Sequence, residues 1–261
     1  MSAQRFFLMT GALALASTTA PLSAQTIVTD RPDFTESTAT VPDGRIQIEA
    51  GYTYSTFGDF SGHEIGEGLI RYGLIPGLEL RLGVPSFVSY SADEGAEDSD
   101  DSGFADASAG IKLALFESGL AEGLPSVSLL LGTGIPTGNA EITGSDGWEP
   151  QAVLALGWQF TETLSLGANA GYVQRRIFGL DDATDEFSAS IAAGFPLFAG
   201  LNGFAEYFAI RPDLDDSDED YVDGGVTYLL SPTFQLDARV GMGIGDTDDA
   251  MFFGIGFARL F

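Results

Sequence analysis

Residues 45–57 read RIQIEAGYTYSTF, and their polarity alternates at every step. Ile46, Ile48, Ala50, Tyr52 and Tyr54 fall on one face; Gln47, Glu49, Gly51, Thr53 and Ser55 fall on the other. A period of two is that of a β-strand, whose successive side chains point to opposite sides. The same pattern returns at 78–84, with Leu78, Leu80, Leu82 and Val84 against Glu79, Arg81 and Gly83. It returns again at 233–242, with Phe234, Leu236, Ala238, Val240 and Met242 against Gln235, Asp237, Arg239 and Gly241.

Working outward gives twelve candidate strands, near 45–57, 65–74, 78–89, 104–115, 126–135, 148–160, 163–174, 186–195, 203–211, 221–230, 233–243 and 250–261. Their connections alternate in length. Ile75-Pro76-Gly77, Thr161-Glu162, Ser231-Pro232 and the segment around Pro196 to Asn202 are short. Longer links lie at 58–64, 90–103, 136–147, 175–185, 212–220 and 244–249, and the stretch 116–125 is a turn of intermediate length. Charge follows the same division. Most of the 38 acidic residues sit in the long links, whereas the turn ends hold only Glu117, Glu122 and Glu162. A soluble sandwich has no reason to sort charge by alternate loops, but a transmembrane barrel with one end facing outward does. The expected fold is therefore all-β, an antiparallel up-and-down transmembrane barrel of about twelve strands spanning 44–261.

The N-terminus fits export. Arg5 precedes the apolar run Phe6 to Ala16, and Leu22-Ser23-Ala24 offers a cleavage point before Gln25, so 1–24 reads as a signal peptide. No later segment has the apolar length of a transmembrane helix. The chain has no cysteine, in keeping with an oxidising compartment, and its 34 glycines favour turns and close backbone packing. A formal charge of −27 argues against nucleic acid, which needs a basic face. At the C-terminus, Phe253, Ile255, Phe257 and Phe261 alternate, interrupted by Arg259. A strand ending in Phe261 is similar to the signal read by the outer-membrane assembly machinery. The expected surroundings are the cell outer membrane, with its lipid and lipopolysaccharide.

At 27–54, IVTDRPDFTESTATVPDGRIQIEAGYTY, the chain resembles an outer-membrane transporter family described as "Putative MetA-pathway of phenol degradation". The likeness rests on Thr29-Asp30-Arg31-Pro32-Asp33-Phe34-Thr35-Glu36, then Gly44, Gln47, Glu49 and Gly51. It continues in Arg71-Tyr72-Gly73-Leu74 and in Leu78 to Gly83, with Lys112 and Glu206-Tyr207 where similar family features fall. The resemblance implies an outer-membrane barrel acting as a channel for small compounds. The association with aromatic solutes comes from the family label alone.

On the expected inward face sit Glu49, Glu67, Arg71, Glu79, Arg81, Lys112, Glu206, Asp237 and Arg239. Charges of both signs in a narrow lumen either line a selective pore or neutralise one another and hold the wall in shape. The segment 25–43, with Asp30, Arg31, Asp33 and Glu36, precedes the first strand and is expected to lie in the lumen or across the periplasmic mouth as a gate. Tyr52, Tyr54, Tyr72, Trp158, Phe160, Tyr172 and Tyr228 fall on the apolar face, as interfacial girdles do. The acidic run Asp213 to Asp220 lacks the glycine and terminal glutamate of a calcium loop. His63, the one histidine, is placed in a loop with no serine in a recognisable arrangement; neither an enzyme site nor a cofactor or metal site is expected. Two functions remain: passive passage of small solutes, hydrophobic or aromatic compounds among them, or a structural barrel whose acidic loops bind divalent cations.

Overall fold

A computed structural model describes residues 26–92, 101–120, 123–140, 146–177, 179, 182–213 and 218–261. The export signal expected at 1–24 and most of the two acidic runs lie outside these residues. The strands are β1 (Ile46–Phe57), β2 (Phe60–Ile75), β3 (Leu78–Val84), β4 (Phe87–Ala92), β5 (Asp101–Phe104), β6 (Ala107–Phe116) and β7 (Ser126–Ile135). They continue as β8 (Glu149–Gln159), β9 (Ser165–Arg175), β10 (Thr184–Phe198), β11 (Leu201–Pro212), β12 (Glu219–Ser231), β13 (Phe234–Ile244) and β14 (Ala250–Leu260). Each pairs antiparallel with its neighbours, and β1 pairs with both β14 and β2, which closes the sheet. Strands β3 and β4 are two halves of one stave broken at Pro85-Ser86, and β5 and β6 are halves of another broken at Ala105-Asp106. The barrel therefore has twelve staves.

Closure follows from the solvent. No water reaches the hydrocarbon to satisfy a free strand edge, so a membrane sheet must leave none. Polarity is inverted accordingly. The largest fully buried side chains are Arg71, Lys112, Gln47, Glu49 and Glu79, while Leu80, Leu82, Val240, Phe253, Ile255 and Phe257 are exposed on the outer wall. A water-soluble protein would reverse this distribution. The aromatics expected in the girdles, Tyr52, Tyr54, Tyr72, Trp158, Tyr172 and Tyr228, alternate with inward residues and face outward.

Three expectations are corrected. The link at 58–64 is a two-residue turn, because Phe57 pairs with Phe60 across Gly58-Asp59 and Gly58 adopts φ 55°. A glycine-acid pair is a hairpin signal, and strand β2 thus begins at Phe60 rather than near 65. His63 therefore lies in a strand, where its Nδ1 is 2.8 Å from the Tyr52 hydroxyl. The third and fourth candidate strands, 78–89 and 104–115, are each interrupted: the first at Pro85, which cannot donate to the ladder, and the second opposite it at Ala105-Asp106, where the Ala105 amide donates to the Ser86 carbonyl. A further irregularity separates Glu49/Gly51 in the pairing of β1 with β2. Gly66 (φ 113°) and Glu67 (φ 38°) form a bulge there, so that Glu64 and Glu67, three residues apart, both point inward.

Candidate functional site

Residues 26–43 fold into the half of the barrel that carries the short turns, the end expected to face the periplasm. Ile27 enters beside β12 and β13, donating its amide to the Pro232 carbonyl, and packs with Val41, Ala258 and Leu260. The chain rises to Asp33–Thr35, then returns to Asp43, which bridges to Gly73 at the foot of β2. All nine expected lumen residues point inward, and the segment ties most of them together.

The first cluster centres on Asp30. Its carboxylate accepts from Arg71 Nη1 (3.0 Å), Arg81 Nη1 (2.6 Å) and Lys112 Nζ (2.8 Å), and from the Ser37 hydroxyl (2.7 Å). Burial alone would raise this carboxyl, but Arg71, Lys112 and Arg81 hold it well below the usual carboxylate range. Arg71 spends its remaining donors on Glu79 in a bidentate pair (2.8 and 2.9 Å), on Glu49 (2.8 Å) and on the Ala39 carbonyl (3.1 Å). Arg81 also forks onto Glu36 at 3.0 and 3.1 Å. Glu49 in turn receives the amides of Asp30 and Arg31, and Glu79 receives that of Val41. Charges removed from water must be paired and fully hydrogen-bonded to be tolerated, and here they are.

A second cluster holds Arg31, which meets Glu67 at 2.5 Å and Asp237 at 3.4 Å. Its guanidinium rests on the cross-strand pair Gly51 and Gly256; a Cβ at Gly256 would lie 2.6 Å from Arg31 Nη2. Glycine there is a requirement of close approach rather than of the turn.

The third cluster is of another kind. Glu206 on β11 accepts from the amides of Phe34 and Thr35, each at 2.7 Å, and from the Thr35 hydroxyl, which also meets Ser190 at 2.7 Å. Phe34 stacks on Phe208 at 4.5 Å, and Phe208 continues to Tyr221 and Phe252. Arg239, apart from the other charges, lies over the Phe252 ring at 5.0 Å. Asp33 belongs to this side. Burial, then the charges of Glu206 and Asp223, push its carboxyl well above the usual range.

The rest of the segment is fastened by neutral groups: Glu36 exchanges two hydrogen bonds with Asn169, and the Thr38 carbonyl accepts from Ser128. These partners, like Asp223 and the inward aromatics Phe208, Tyr221 and Phe252, were not singled out from the sequence. Alternation does contain the signal, since Asp223 keeps the inward phase of Gly225 and Thr227. What each inward residue touches is not written in the period.

Glu36 also borders two cavities. One, of about 370 Å³, opens among Thr35, Ser126, Trp158, Gln159 and Ser165 at the periplasmic ends of β7 to β9. The other, of about 320 Å³, lies higher, among Arg81, Gly83, Ser108, Gly132 and Gln151.

An inverted-polarity barrel closed on itself, with a charged lumen, is an outer-membrane β-barrel. The chain belongs to the family described as "Putative MetA-pathway of phenol degradation", whose model matches residues 29–261. A comparison with curated proteins finds no match. Among solved structures, an outer membrane channel from Pseudomonas putida F1 superposes with a TM-score of 0.64 at 15% identity, over 88% of this chain and 99% of that one. The NanC porin gives 0.55 at 10% identity, and the KdgM porin, solved with disordered oligogalacturonate, 0.53 at 10%; each covers 81% of this chain and 98% of its own. At these identities the likeness is one of fold.

Proposed function

We propose that the protein is a passive outer-membrane channel for small solutes, closed in this conformation by residues 26–43. The observation that carries the reading is the placement of Glu36 between the two cavities. Its bidentate pair with Arg81, and Lys112 at 3.4 Å, form the partition between the periplasmic vestibule and the upper lumen. Beside Arg81 and Lys112 the wall continues in small groups, Gly83, Ser108, Gly110, Gly132 and Gly134, which leave room for a solute. Arg71, Glu79, Glu49 and Asp30 act as one fastening of the segment, and Glu67, Asp237 and Arg31 as a second. Membership of this family and the superposition on outer-membrane channels support this reading.

Deleting residues 26–43 from the barrel and recording current across planar bilayers is the test. Conductance should rise several-fold over the full chain. A deleted barrel that still passes no current, while remaining folded by circular dichroism, would show that the lumen is not a path.

A further inference from the structure

Asp223 on β12 is the cross-strand partner of Glu206 on β11, and both side chains point into the lumen. Asp223 is 9% exposed, and neither of its carboxylate oxygens has a hydrogen-bond partner. It therefore sits unpaired beside the carboxyl of Glu206, which is itself buried. Two ionised carboxylates have no proton to share and repel one another, so this contact is incomplete as two anions.

The lone pairs of Glu206 complete the argument. A carboxylate has about four acceptor sites. Three are taken by the donors of Phe34 and Thr35, which leaves one on Oε2 for a further donor. The surroundings supply no cation in contact. Arg239 on β13 is the nearest positive group, yet it lies over Phe252 and makes no ion pair within 4 Å among the described residues. Gly241, the β13 partner of Asp223, has no side chain, and the Phe252 ring covers it. Asp33 approaches from the segment as a third carboxyl, pushed well above the usual range by burial and by Glu206, and brings no positive charge. Among the described residues no three carboxylates or histidines converge to hold a metal ion.

We infer that Asp223 and Glu206 hold a single proton between them, and that this proton is a latch keeping Phe34 and Thr35 docked. With the proton present, Asp223 is a neutral acid donating to the free site of Glu206, which stays ionised and continues to accept from the segment. When the proton passes to bulk water, two buried anions face one another. They are relieved only by water entering beneath the Phe34–Phe208 stack, which lifts Asp33 to Thr35 away. The latch rests on the segment closing the lumen, but the proton itself does not.

Two measurements on the full-length barrel separate these. Infrared difference spectra near neutral pH, wild type minus Asp223→Asn, should show a protonated carboxyl band that the variant loses, separate from any band that Asp33 keeps in both; the change is isosteric and still donates to Glu206. Conductance should be low near about pH 6 and rise towards about pH 9, the released-to-docked ratio changing by up to about tenfold per pH unit for one proton. Asp223→Asn should stay low and flat over the same range. An unchanged infrared spectrum in Asp223→Asn overturns the shared proton. A band that disappears, together with wild-type conductance that does not change with pH, overturns the latch. Failure of the deletion of 26–43 to conduct, with the band present, strikes the channel reading instead.

Discussion

The N-terminal segment is fastened at two places by opposite electrostatic means. At Asp30 one carboxylate of the segment is surrounded by Arg71, Arg81 and Lys112 of the wall. At Glu206 one carboxylate of the wall is surrounded by neutral donors of the segment, with a second carboxylate, Asp223, beside it. The first arrangement is satisfied as ions and gains from being dry. The second is short of one positive charge. A plug held only by the first kind of contact would be permanent; the second gives it an end that solution conditions can release.

The largest effect should come from breaking the ionic end. Asp30→Asn keeps the shape but leaves three buried cations short of a counter-charge. Unpairing a buried ion of this kind costs about 3–5 kcal/mol. Thermal unfolding followed by circular dichroism should fall accordingly, and the segment should undock with a rise in bilayer conductance. Retained stability would mean that Glu36, Glu49 and Glu79 alone balance the cluster.

A smaller effect is expected at the neutral end. Glu206→Gln offers one carbonyl oxygen to three donors of Phe34 and Thr35, and an unsatisfied buried donor costs about 1–3 kcal/mol. Conductance should rise less than in Asp30→Asn, since the Asp30 cluster keeps its hold. An equal rise from both would dissolve the distinction between the two ends.

Acid should have the least effect. Asp30 titrates well below the usual carboxylate value of about 3.9. A depressed carboxyl contributes stability that is complete above the unfolded value and is lost only as pH falls through the folded one. Docking at this end should therefore persist as pH falls from about 7 to about 4. Proton uptake by Asp30 across that interval, read as an infrared carboxyl band that Asp30→Asn lacks, would show that the three cations do not hold it ionised.

Much of the wall was legible in the chain. The stretch at 45–57, the turn at Pro76-Gly77 and the strand ending in Phe261 each carry their own instructions, because facing is a local property of period two. The local departures were harder to read. The bulge at Gly66-Glu67 and the break at Pro85-Ser86 shift the phase within one strand, and the hairpin at Gly58-Asp59 was hidden among polar residues that follow it.

The sequence by itself determined which residues of the uninterrupted strands face oil and which face the lumen, and it set the nine charged residues on the inward face. Only the tertiary structure decided how those charges group: Asp30 with three cations, Arg31 across Gly51 and Gly256, Glu206 beside Asp223. Alternation is set by neighbouring peptide units. Pairing across a lumen depends on where the sheet closes and where residues 26–43 thread, and those are properties of the whole barrel.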